Sequence, residues 1–198
     1  MIKRLLVYIL FAIFTHGNAF AAAKLQKTSN EEYIKQIEDS FNKIKTLKAN
    51  YIQVDKNGRE TSGVFFLKRP YLMKMDCHAY VIIAKDNKVI YFDKELNEKT
   101  VTSMYSSPLS FFMESTIKLD AKILSVVDAH GILSITFCKK NPNVDGAITM
   151  VFQKNPFMLL KWEIFSSKKD INSGDATQII LLNHEFGKKV SDDEFTDP

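Results

Sequence analysis

Catalytic and metal-binding patterns are missing from this chain. It has no Gly-x-Ser-x-Gly elbow and no glycine-rich phosphate loop. His78, His130 and His184 stand at no metal-ligand spacing from one another or from a Cys, Asp or Glu. His78 adjoins Cys77, but neighbours on a strand point to opposite faces, which is poor ligand geometry. All three read as surface histidines. Most of the carboxylates fall in turns or on a polar helix face, and Ser191–Glu194 reads as a solvated turn. No metal site, cofactor or catalytic constellation is expected, so the chain is not read as an enzyme.

Arginine is scarce too. There are three, Arg4, Arg59 and Arg69, where lysine does nearly all the basic work. No basic cluster and no nucleic-acid motif stands out, so nucleic acid is not an expected partner. No apolar run is long enough to span a bilayer as a mature helix. Only two cysteines occur, Cys77 and Cys138. A bridge between them would close a long loop, worth about 4 kcal/mol in the chain-entropy model. Strand parity sets them on different faces, and their pairing stays open.

The N-terminus carries an address. Lys3 and Arg4 precede the apolar run Leu5–Phe14, and Ala19-Phe20-Ala21 fits a small-residue cleavage site. A signal peptide over residues 1–21 is expected, leaving 177 of 198 residues as a single domain, 22–198. Losing Lys3 and Arg4 takes the basic residues from 27 to 25 against 23 acidic ones, so the mature chain is close to neutral.

What remains is rich in strand signals and apolar surface. Ser29-Asn30-Glu31-Glu32 is a capping box, and Ile34, Ile37, Phe41, Ile44 and Leu47 follow at helical spacing. A helix is predicted over 30–47. Short strands follow at even spacing from Tyr51 to Leu182, about ten or eleven of them, with turns such as Lys56-Asn57-Gly58 and Asp86-Asn87. That spacing leaves no room for crossover helices, so the sheet is predicted to be antiparallel. Ser107 and Pro108 interrupt it with a short apolar helix, on which Leu109, Phe112 and Met113 share one side.

Several strands are apolar on both faces. In Gly63–Lys68, Val64 and Phe66 lie opposite Phe65 and Leu67. A sheet with one wet face should alternate cleanly. Either the core is closed on both sides or one face lines a pocket. Met73 and Met75, beside Phe65 and Leu67, suit a pocket that accepts variable shapes, and ordinary core packing suits them too. By parity Arg69 shares their face, where a cation needs acceptors. Carbonyls near Met113 and bulk water are the alternatives.

In order along the chain, Ala49-x-Tyr51-x-Gln53, Gly63-x-Phe65-x-Leu67-Lys68-Arg69-Pro70, Val89-x-Tyr91-x-Asp93 with Leu96, Ser107-Pro108-Leu109, Leu160-x-Trp162-x-Ile164, Thr177-x-Ile179, Asn183 and Phe195-x-x-Pro198 form a pattern. It resembles the periplasmic outer-membrane lipoprotein carrier family, LolA. The stretch Thr116–Asn143 matches least, and Met73 and Met75 stand where the family often has aromatics.

The resemblance implies an α+β, mainly β fold: an incomplete antiparallel β-barrel of about eleven strands with a helical lid over an apolar cavity. It implies an acyl-chain cavity at Phe65, Leu67, Met73, Met75, Leu109, Phe112 and Met113, with Arg69 and Pro70 as the lid latch. The implied function is a periplasmic carrier that shields lipoprotein acyl chains between the inner and outer membranes. Its partners would be lipoproteins, an inner-membrane ABC lipoprotein-releasing transporter and an outer-membrane lipoprotein receptor, with the carrier itself a monomer. A lipid- or lipoprotein-sensing periplasmic regulator on the same half-barrel is the alternative, and an unrecognised hydrolase a more distant one.

Overall fold

The computed structural model describes residues 29–104, 113–140 and 145–198. The signal peptide, and the helix begun by Pro108 with its Leu109 and Phe112, lie outside the described residues.

Helix α1 spans Asn30–Lys43. Ser29 caps it in both directions: its hydroxyl accepts from the Glu32 amide, and the Glu32 carboxylate accepts from the Ser29 amide. The helix ends earlier than the predicted residue 47. Ile44 is already extended, at φ −79° and ψ 113°. Leu47 fits helical spacing, but it also alternates with Ala49 and Tyr51, and the period of two prevails because both flanking strands pair there.

Eleven strands follow: β1 Thr46–Val54, β2 Glu60–Lys68, β3 Leu72–Cys77, β4 Tyr80–Lys85, β5 Lys88–Asp93, β6 Glu98–Ser103, β7 Ala121–Ala129, β8 Ile132–Lys139, β9 Ala147–Lys154, β10 Phe157–Phe165 and β11 Ala176–Phe186. A one-turn helix α2, Asp170–Ser173, joins β10 to β11. The strands form one antiparallel sheet ordered β6-β5-β4-β3-β2-β1-β11-β10-β9-β8-β7. Every turn that joins neighbours can therefore be short. Between β4 and β5 it is Asp86-Asn87, both at positive φ, 50° and 61°, as a two-residue hairpin requires.

The sheet curls without closing. β6 and β7 are its two edges and do not pair. Phe65 on β2 and Trp162 on β10 are three strand spacings apart, ~14 Å on a flat sheet. Their rings nonetheless meet edge to face at 5.9 Å between centroids. Register shifts at Lys48/Asn50, Leu159/Lys161 and Ile123/Ser125 mark bulges that bend the strands. The architecture fits an incomplete barrel, as predicted.

One cluster fills the inner face. Tyr33, Ile37 and Phe41 of α1 pack on side chains from both halves of the sheet, among them Tyr51, Met75, Ile135 and Phe152. The doubly apolar strands are covered on both faces, one of the two causes expected. The outer face of β2–β5 carries a second cluster, Val81, Ile83 and Ile90 with Phe66 and Leu72, and the C-terminal residues Val190 and Phe195 cover it. Ser191–Glu194 is thus more than a solvated turn. It leads into a 3-10 turn, Asp192–Phe195, that clamps the tail. Lys68 bonds the Val190 carbonyl and the Asp192 carboxylate, and Asp197 sits between Lys85 and Lys99. The cysteines are free and buried, Cys77 in the inner cluster and Cys138 in a third, separate one with Phe165 and Ala176.

Candidate functional site: an apolar hollow beside Arg69

The inner cluster leaves a gap. A cavity of about 580 Å³ lies under the last turn of α1. Phe41 and Ile44 roof it, Phe65, Leu67 and Met73 form one wall, and Phe157, Leu159, Trp162 and Leu181 form the other. The bulge in β10 builds the second wall: with a register shift between Leu159 and Lys161, Leu159 and Trp162 both turn inward although they stand an odd three positions apart. The mouth opens near Ser40, Lys43, Lys45, Pro156 and His184.

Met75 and Met113 have a different place from the one expected. Both are buried within the packed cluster and neither faces the hollow. Parity was right to put Met73 and Met75 on one face, but the gap ends between them. Leu109 and Phe112 fall outside the described residues.

Arg69 follows β2 directly, and its guanidinium joins two segments of chain. Nη1 donates to the carbonyls of Phe41, at 2.6 Å, and Ile44, at 3.3 Å, at the end of α1. Nε and Nη2 donate to the Glu114 carbonyl, at 3.2 and 2.7 Å, and Nη2 also reaches Ser115 O and Asn42 Oδ1. The geometry follows from the residue type. A planar fork of donors can serve carbonyls on two sides at once with a fixed geometry that a lysine ammonium lacks. The carbonyls at a helix C-terminus carry partial negative charge, so a cation belongs there; Phe41 O accepts from the Ile44 amide, at 3.0 Å, as well as from Arg69. Partial burial pulls the guanidinium's pKa down, a desolvation cost these acceptors offset. Pro70 follows through a cis peptide, and Tyr71 then donates its amide to Met113 O at 2.7 Å.

Residues 42–197 match the family described as outer membrane lipoprotein carrier protein LolA. The chain belongs to the LolA family. It is also similar to an uncharacterized protein of Rickettsia prowazekii (strain Madrid E), 24% identical over 144 residues, 69% of this chain and 66% of that protein. The chain thus spans slightly less than two thirds of that relative's length. The family is one of lipoprotein carriers by its description, and membership brings a carrier-like fold.

Within this LolA-family chain, sequence reasoning missed three features of the site. The far wall on β10 and β11 was one. A second is the set of polar ties across α1: Asn42 exchanges two bonds with Ile117, Glu38 accepts from the Leu119 amide, and Tyr33 donates to Asp128. The third is His184, which is half-buried rather than a surface residue. It stacks on Phe186, and its Nε2 donates to the Leu159 carbonyl at 2.8 Å. Burial pushes its pKa below the ordinary histidine value, so the ring is neutral near pH 7. No signal in the sequence marks the α1 ties. The wall was foreshadowed by the apolar run around Trp162.

Proposed function

We propose that this chain is a periplasmic carrier that takes the acyl chains of lipoproteins released from the inner membrane and delivers them to the outer membrane. The observation that carries the reading is the juxtaposition of an apolar hollow with an arginine that fastens its roof. Burying one methylene is worth about 0.8 kcal/mol, so a long acyl chain gains more than ~10 kcal/mol by leaving water. Free transit is forbidden by the same figure, and a carrier must offer the chain a dry place that it can also give up.

The size of the hollow bears on how release works. At ~30 Å³ for each methylene, about the share of a water in the liquid, 580 Å³ holds about twenty methylenes. That is room for one long chain. In this scheme a triacylated cargo enters by lifting α1 and the 114–115 segment, and Arg69 releases their carbonyls. Lid closure then competes with cargo and weakens net binding, as a two-state element must. Residues 1–21 serve as the signal peptide in this scheme, Phe65, Leu67 and Met73 as acyl-chain contacts, and Arg69 with Pro70 as the latch. The monomeric carrier uses no cofactor, and the energy comes from an inner-membrane ABC transporter. An outer-membrane receptor takes the cargo.

Mass spectrometry of the protein purified from periplasm tests the proposal. Co-purifying acylated lipoprotein is the expected result. Protein that arrives without lipid, and takes none from lipoprotein-loaded vesicles supplied with the transporter, would overturn it.

A further inference from the structure

The mouth of the hollow has a charge of its own. Lys43 and Lys45 stand on the rim, and no Asp or Glu lines the cavity. Both lysines are exposed, and neither meets a carboxylate at ion-pair distance among the described residues. Other lysines are opposed: Lys68, Lys74, Lys85 and Lys99 on the strands and Lys94 just after β5 are each tied to an aspartate, whereas Lys48, Lys88 and Lys122 meet no carboxylate at ion-pair distance among the described residues. Two acidic groups close by in sequence or on the rim strand have lysine partners of their own. Asp39, one turn before Lys43, lies 3.5 Å from Lys35, and Glu185, beside His184, lies 2.8 Å from Lys188. A helix C-terminus repels anions, but here the Phe41 and Ile44 carbonyls already accept from Arg69. His184 is a neutral rim donor already spent on Leu159 O.

The geometry points to a ligand class within the carrier reading, on which it rests: we propose that the closed form accepts a single acyl chain ending in an anionic group, with Lys43 and Lys45 holding the anion at the mouth. The hollow has room for one long chain, and the unopposed cations supply the sign. A fatty-acid carboxylate and the phosphate of a monoacyl phospholipid share this chemistry.

Trp162, the chain's one tryptophan, lines the hollow and reports occupancy directly. Palmitate, methyl palmitate and lysophosphatidylglycerol are titrated against the mature protein while its emission is followed. At low salt one of the two anionic ligands is expected to bind about tenfold more tightly than the methyl ester, the scale of two exposed ion contacts. Which anion leads identifies the source. The Lys43→Gln/Lys45→Gln double variant, with two exposed positions altered, is expected to lose that preference and keep its affinity for the ester. Equal binding of acid and ester, or a preference that survives the double variant, overturns the inference and leaves the carrier reading intact. If no ligand moves Trp162 emission, the inference falls, while the carrier reading is decided by the lipoprotein co-purification.

Discussion

Arg69 Nη1 lies 2.6 Å from the carbonyl oxygen of Phe41, while Nη2 of the same side chain lies 2.7 Å from the carbonyl of Glu114. The end of β2 thus grips the roof of the hollow and the segment beside it with one rigid group. Phe41 is also the residue whose ring packs into the inner cluster against Phe152. Moving α1 therefore means breaking both a polar and an apolar contact.

Arg69→Leu removes the fork and keeps the apolar stem. The fold is expected to survive, at a cost of about 1–3 kcal/mol for carbonyls left without their donor. Cargo is expected to load and then fail to transfer, because closure no longer competes with it. A lipoprotein transfer assay between donor and acceptor membranes measures this, and normal release by the variant would refute the latch. Arg69→Lys is expected to resemble the leucine variant, since one ammonium does not span both segments.

Asn42 works beside the arginine. It donates to Ile117 O at 3.1 Å, accepts from Ile117 N at 2.8 Å and accepts from Arg69 Nη2 at 3.3 Å. Asn42→Ala is expected to destabilise the protein by about 2 kcal/mol and to speed exchange of the Ile117 amide. With Arg69→Leu the two losses are expected to be non-additive, because the side chains share one network. Urea unfolding of the single and double variants measures the coupling, and strict additivity would place Asn42 outside the latch.

Gly63 shows a tight spot in the sheet. A Cβ there would stand 2.0 Å from Asp76 O and 2.9 Å from the Tyr51 ring. The obstacle is the backbone of the neighbouring strand, which cannot swing aside. Gly63→Ala is expected to cost on the order of 3 kcal/mol, at the upper end for overpacking. Thermal or urea unfolding checks it, and an unchanged midpoint would show that β2 and β3 part easily.

Alkaline pH is expected to unfold the protein in a way the phenols report. Burial pushes the Tyr51 phenol well above its ordinary value, with Tyr80 and Cys77 adding to the shift, and burial raises Tyr80 as well. Above about pH 10 an unfolded tyrosine ionises while these two stay protonated. The native state then binds more protons than the unfolded one, so stability falls as pH rises past that point. A spectrophotometric titration should show these two phenols ionising only together with loss of near-ultraviolet circular dichroism. Their ionisation with the fold intact would contradict the burial argument.

Much of this architecture was readable along the chain because its signals are local. The Ser29 capping box, the Asp86-Asn87 turn and the evenly spaced strands each depend on a few neighbouring residues. The helix end was misread because Leu47 satisfies a spacing of three from Ile44 and a spacing of two from Ala49, and only pairing with Leu67 and Phe186 settles which counts. The cover over Phe66 was unreadable, since Val190 and Phe195 lie more than a hundred residues away. The hollow was half-visible. Parity assigns Phe65, Leu67, Met73 and Met75 to one face, but whether a side chain meets a gap or a neighbour depends on how the sheet curls. A bulge inside β10 and the arrival of Phe41 determine that, and neither is a local property.

Phe65 and Phe66 are neighbours on β2 that point to opposite faces, the first into the hollow and the second under the C-terminal tail. Replacing each in turn with photoreactive benzoylphenylalanine and irradiating the carrier during lipoprotein release is the most direct test of acyl-chain binding. The account expects a crosslink to acylated cargo from position 65 and none from position 66. Equal crosslinking from both positions, or from 66 alone, would contradict it.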